Sequence, residues 1–86
     1  MTTFEVRNSA MYGRVIDEKF ATADEAYAAA LELFEGKAPV ELWLLADTGN
    51  PNLFATLDMA TPDTRGPWKV YVDNELAPTL TLEDLP

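Results

Sequence analysis

Asp and Glu are the side chains of this chain that are most suited to catalysis or metal binding, because its 86 residues contain fifteen of them but no His and no Cys. A thiolate nucleophile, a disulfide and a thiolate zinc site are therefore excluded. The commonest general base at neutral pH and the commonest metal ligand are missing as well. Adjacent carboxylates, such as Asp17-Glu18, point in different directions on regular backbone and do not form a general acid/base pair. We expect a non-enzymatic protein with no cofactor and no metal.

Asp47-Thr48-Gly49 is the motif closest to catalysis, and it follows the apolar run 42–46. It resembles the catalytic triplet of the aspartic proteases, which assemble a two-carboxylate site from two copies of the motif. The resemblance covers three residues, and Asn50 stands where that family has Ala or Ser. Because Asp-Thr-Gly is also a common hairpin turn, the main prediction is a turn. A dimeric aspartic hydrolase acting through Asp47 is the remote alternative.

The same loop contains the oxygen-bearing side chains of Asp47, Asn50 and Asn52. Their spacing does not match an EF-hand loop, which needs alternating ligands, a central glycine and a distal glutamate. The four glycines are too widely separated for a phosphate-binding loop. No metal or nucleotide site is predicted.

The net charge of −9 and the pI of about 4.1 restrict the partners of this chain. Nucleic acids and anionic lipids are bound through Lys and Arg, so direct binding to either is not expected. The charge favours solubility and attraction to basic surfaces. The length predicts one domain, residues 1–86. With neither a basic, apolar leader nor a long apolar run, we expect a cytoplasmic protein without membrane contact.

Alternation of apolar and polar residues predicts the strands of this chain. The predicted strands are 3–7, 14–20, 40–45, 53–59 and 68–73, and the first two are predicted to pair as a hairpin. A turn is expected at Asn74-Glu75. Residues 79–82 are predicted to form either a short edge strand or the approach to a terminal turn. Thr22 to Glu25 forms a capping box, after which an apolar stripe at helical spacing continues to Phe34, before Gly36. The order is β-β-α-β-β-β. Because one helix covers one face only, we predict an α+β fold, an antiparallel sheet of about five strands with the helix on one face.

Two groups of acidic residues are the candidate binding residues. Asp24, Glu25, Glu32 and Glu35 share the polar side of the helix, which contains no Lys or Arg; Asp73 and Glu75 belong to an acidic C-terminal segment. The helix dipole explains acids in the first turn but not Glu32 or Glu35 near the end. The helix acids average about one charge per 4 Å, close to the spacing along one DNA strand, so nucleic-acid mimicry is one form of this hypothesis.

Trp43 and Leu45 lie on the strand face opposite Leu42 and Leu44, so they need a cover of their own. The C-terminal segment 76–85 is the expected cover, and a partner or second copy is the alternative. With Tyr71, Trp43 completes the predicted partner-binding set.

We therefore predict a small binding protein that inhibits a larger protein partner by occupying its basic surface. In size and charge alone, it resembles phage inhibitors of host defence complexes, such as anti-CRISPR proteins. The alternative is a homodimeric structural or regulatory module joined through Trp43 and Leu45.

Overall fold

The computed structural model describes residues 2–8, 15–33, 42–59 and 68–86. Their elements are β1 (Thr3–Asn8), α1 (Ala23–Leu33), β2 (Leu42–Asp47), β3 (Leu53–Asp58), β4 (Lys69–Val72), β5 (Glu75–Leu76) and a short 3₁₀ helix (Leu82–Asp84). The strands form one antiparallel sheet in the order β1-β2-β3-β4-β5. Helix α1 packs across β1 and β2. The predicted α+β fold, with one helix on an antiparallel sheet, is confirmed.

Helix α1 begins where the sequence predicts. The backbone N–H of Glu25 donates to the hydroxyl oxygen of Thr22 at 3.2 Å, which satisfies one of the free donors at the helix start. Ala26 and Ala30, one turn apart, are fully buried. Their small side chains let the helix lie close to the sheet. The predicted end of the helix, at Phe34 to Gly36, lies outside the described residues.

The predicted strand 14–20 was wrong, although it does lie beside β1. Phe20 and Phe4 exchange two backbone hydrogen bonds at 2.8 and 2.9 Å, and the N–H of Val15 donates to the carbonyl of Val6 at 2.9 Å. Three residues of β1, 4 to 6, are therefore opposite six residues, 15 to 20. The three extra residues in the second segment prevent a continuous ladder of hydrogen bonds between the two. The chain bends at 15–17, and Ile16 packs against the core.

The fifth strand of the sheet is instead β5, which follows a two-residue turn. Asp73 and Asn74 both have positive φ, 53° and 66°, as the tightest hairpin turns require. The expected turn at Asn74-Glu75 is thus shifted by one residue, and Glu75 pairs with Val72. Of the two options for 79–82, the terminal turn is the observed one. There the N–H of Thr81 donates to Oδ2 of Asp84 at 2.7 Å.

The core lies between the sheet and α1. Its buried members on the strands are Phe4, Val6, Leu42, Leu44, Ala46, Ala55, Leu57 and Val70, with Met59 after β3. Phe4 pairs with Ala46, which pairs with Ala55. These two alanines leave room for the rings of Phe4 and Trp68, which meet edge to face with centroids 6.0 Å apart. The two outer parts of the sheet are thereby joined across its middle.

Candidate functional site

The sheet face turned away from α1 is the main candidate surface, and we call it the open sheet face. Strand side chains alternate between faces, so this face takes the residues between those of the core. Three rows of paired residues cross it: Thr3, Asp47, Phe54, Tyr71 and Leu76 in the first; Glu5, Leu45, Thr56 and Lys69 in the second; Arg7, Trp43 and Asp58 in the third. No helix or strand in the described part of the chain packs on it.

The open sheet face is rich in aromatic and apolar side chains. Trp43, Leu45, Phe54 and Tyr71 are each partly exposed, and Leu76 at the sheet edge is 53% exposed. Phe54 and Tyr71 stack across β3 and β4, with centroids 5.1 Å apart and planes 15° from parallel. Leu82 and Leu85 pack against the core residues on the α1 side. This part of the C-terminal segment is therefore not the cover expected for Trp43.

One carboxylate of the open sheet face is buried. Glu5 is 2% exposed, and its Oε2 accepts a hydrogen bond of 2.8 Å from Nη2 of Arg7, two residues further along the same strand. Both side chains project from the same face of β1, which is what brings them together. The alternating pattern of β1 does not predict this ion pair, because it places Glu5 on the strand face that is expected to contact solvent.

Charge is distributed unequally between the open sheet face and the rest of the molecule. The described residues include twelve Asp and Glu and three Lys and Arg. The open sheet face has three of these acids and two of these bases, a net charge of −1. The other described residues therefore have a net charge of −8. The acidity belongs to the helix side, the segment 15–20 and the chain after β4.

The predicted helix acids form one exposed surface. Asp24, Glu25 and Glu32 are exposed and fall within about 100° of arc on α1, away from the buried Ala26 and Ala30. We call these three residues the acidic helix surface. Glu35 lies outside the described residues. Glu32 is in the last turn, which has no basic residue, so the dipole of α1 does not favour it.

The predicted binding residues do not form a single surface. The acidic helix surface lies on one side of the sheet, whereas Trp43 and Tyr71 lie on the other. Asp73 and Glu75 are exposed in the β4–β5 hairpin. The conformation of the turn explains the presence of an Asp at position 73 without a role in binding. One flat partner surface therefore does not reach both the helix acids and the aromatic residues.

The loop after Asp47 is held by local hydrogen bonds. Oδ1 of Asp47 accepts from the N–H of Gly49 at 2.8 Å, and the hydroxyl of Thr48 donates to the carbonyl of Leu53 at 2.7 Å. Gly49 has a φ of 87°, which favours glycine. These contacts fit the turn predicted for Asp-Thr-Gly.

A shallow cavity of about 380 Å³ lies beside this loop. It is lined by Leu45, Asp47, Gly49, Asn50, Pro51 and Phe54. Among the described residues there is no group of three or more acidic side chains arranged to bind a metal ion. The cavity is part of the open sheet face and extends its apolar area to the β2–β3 loop.

No protein-family model matches this chain, and comparison with curated proteins and with solved structures found no match either. None of the helices in the described ranges has the length and apolar character needed to cross a membrane.

Proposed function

We propose that this chain is a non-enzymatic binding protein of the cytoplasm, which inhibits a larger protein by covering its basic surface with the acidic helix surface. The observation that supports this most strongly is the separation of charge. Of the described residues, those outside the open sheet face have a net charge of −8, and α1 contributes three exposed acids without one basic residue. Such a surface attracts a basic partner and repels nucleic acid.

Glu32 is the residue that favours a binding role over a structural one. Asp24 and Glu25 stabilise the start of α1 through the helix dipole, and Glu25 also belongs to the capped first turn. Glu32 is exposed in the last turn, where a negative charge is unfavourable. A cost to helix stability is explained if the carboxylate serves recognition. A basic surface that normally holds nucleic acid is the kind of target such an inhibitor would occupy.

A pair of matched variants tests this function. Protein retained from a cell lysate by the wild-type chain is identified, purified and titrated against Asp24→Asn/Glu32→Gln and against Glu18→Gln/Glu83→Gln. All four positions are exposed, and both variants remove two negative charges. We expect the helix variant to weaken binding about tenfold or more and the control about threefold or less.

Salt provides the second measurement. Binding of the wild-type chain is expected to weaken between about 50 and about 500 mM salt, because the contacts are between exposed charges. Equal weakening by the two variants would assign the effect to total charge. Affinity independent of salt would exclude the electrostatic mechanism itself.

A further inference from the structure

The shallow cavity beside the β2–β3 loop combines an apolar wall with a single charge. Leu45, Pro51 and Phe54 supply the apolar surface, and of the described residues that line the cavity only Asp47 is charged. Its volume of about 380 Å³ suits one side chain or a small ligand, because small-molecule pockets occupy about 300 to 1,000 Å³. A ligand that fits here must match one carboxylate and an apolar, partly aromatic wall.

The ring of Phe54 turns one of its two faces toward this cavity. In the register of the sheet, Phe54 lies between Asp47 on β2 and Tyr71 on β4. Tyr71 stacks on one face of the ring. The cavity is lined by Phe54 and Asp47 but not by Tyr71, so it lies against the opposite face. An aromatic face and a carboxylate therefore flank the same space, since direct cross-strand partners have Cβ atoms about 4.5 to 5.5 Å apart.

The Asp47 carboxylate is oriented by the loop that follows it. Its Oδ1 accepts from the N–H of Gly49 at 2.8 Å, and Asp47 has no ion pair within the described part of the chain. A carboxylate has about four acceptor positions, so Oδ2 can still accept from a ligand. The loop is closed by hydrogen bonds from the Thr48 hydroxyl to the carbonyl of Leu53 at 2.7 Å and from the N–H of Leu53 to the carbonyl of Asn50 at 3.0 Å. A wall that is formed in advance lowers the entropic cost of binding.

We propose that this cavity binds the side chain of one arginine of a protein partner. A guanidinium is planar and always charged, and it stacks on an aromatic face while its N–H groups donate to a carboxylate. In this cavity it stacks on the open face of Phe54 and donates to Asp47, and its methylene stem lies along Leu45 and Pro51. The cavity is on the far side of the sheet from α1, so this site is independent of the partner proposed for the acidic helix surface.

An NMR titration with a blocked tripeptide, in which one arginine stands between two glycines, tests this site. We expect saturable shifts of the backbone amides of Gly49 and Phe54, with a dissociation constant of about 1 to 10 mM, because one side chain makes few contacts. The matched lysine peptide keeps the charge without the plane and should bind about threefold more weakly or worse. The citrulline peptide keeps the plane without the charge and should bind about tenfold more weakly or worse.

Either of two results with the wild-type chain would overturn the proposal. One is the absence of shifts at these amides up to about 50 mM arginine peptide. The other is an affinity for the lysine or the citrulline peptide equal to that for the arginine peptide, since the cavity is proposed to select both the plane and the charge of the guanidinium.

Matched variants locate the site. Asp47→Asn and Asp24→Asn each remove one negative charge, but Asp24 is exposed on α1, on the other side of the sheet. Asparagine at position 47 keeps an oxygen that can accept from the N–H of Gly49, so the turn is retained. We expect Asp47→Asn to weaken binding of the arginine peptide about fivefold or more and Asp24→Asn about twofold or less. Phe54→Leu keeps an apolar wall, and it should abolish the preference for arginine over lysine.

Equal weakening by Asp47→Asn and Asp24→Asn would assign the effect to total charge and contradict the site. Circular dichroism checks that the variants keep their fold. Failure of this proposal is distinct from failure of the proposed function, because the two use opposite sides of the sheet. The helix variant Asp24→Asn/Glu32→Gln should reduce binding to the partner of the acidic helix surface and change the affinity for the arginine peptide about twofold or less.

Discussion

Phe54 and Tyr71 stack face to face across strands β3 and β4, with ring centroids 5.1 Å apart and planes inclined by 15°. The two residues are direct partners in the register of the strands. They lie on the side of the sheet that α1 does not cover, so their contact does not depend on the core. Cross-strand aromatic pairs stabilise a sheet register, and this one lies within the register that joins the short β4 to β3.

A double-mutant cycle on this pair should measure the contribution of the stacking. Phe54→Leu and Tyr71→Leu remove the rings but keep apolar side chains. We expect a coupling energy of about 0.5 to 1 kcal/mol between the two changes, by urea denaturation. Phe54→Leu combined with Leu33→Ala, on α1, is the control and should be additive. Additivity of the stacked pair within about 0.3 kcal/mol would show that the rings contribute only buried area.

The ion pair of Glu5 and Arg7 should show the asymmetry typical of buried charges. Arg7→Met leaves the 2%-exposed Glu5 without the guanidinium bound to it, so we expect a loss of about 2 to 4 kcal/mol of unfolding free energy. Glu5→Met combined with Arg7→Met removes both charges and should recover most of that loss. Chemical denaturation measures all three. A double variant less stable than Arg7→Met would mean that the pair itself stabilises the sheet.

The hairpin turn provides a test of backbone conformation. Asn74 has a φ of 66°, a region that asparagine and glycine tolerate and β-branched residues avoid. Asn74→Val should cost about 1 to 2 kcal/mol, and Asn74→Gly should be neutral or stabilising by about 0.5 kcal/mol. Asn52→Val, in the neighbouring loop that accepts the backbone N–H of Asp73, is the control. Equal losses at both positions would argue against a special role for the turn.

Local patterns in the sequence predict those parts of the fold that depend only on residues close together in the chain. The capping residues and the apolar period of α1 specify a helix and its start, and alternation correctly predicts β1, β3 and β4 within about two residues. An alternating pattern indicates the face of the strand on which a residue lies. It does not indicate how many residues separate two hydrogen bonds to the neighbouring strand. For this reason it predicted a regular strand up to Phe20, where the structure has an excess of three residues opposite β1.

The candidate site was less predictable than the fold, because it depends on register. The rows that contain Glu5 with Lys69, and Arg7 with Asp58, bring together residues more than fifty positions apart in the chain. No pattern within a strand reveals such rows. The capping pattern Thr81 to Asp84, by contrast, is readable from the sequence, and it gives Asp84 a structural role. Acidity near the C-terminus is therefore only partly available for binding.

Charge reversal at either end of α1 should weaken partner binding, but it should change the stability of the protein in opposite directions at the two ends. Glu32→Lys places a positive charge in the last turn, which contains no basic residue, and should stabilise the protein by about 0.5 kcal/mol through the helix dipole. Glu25→Lys places it in the capped first turn and should destabilise the protein by about 0.5 to 1 kcal/mol. Both changes remove an acid from the acidic helix surface and add a base, so both should weaken partner binding at least tenfold. Thermal denaturation and titration with the partner measure the two effects separately. If Glu32→Lys stabilises the chain and leaves binding intact, Glu32 is not a recognition residue, and the observation that favours a binding role for α1 is lost.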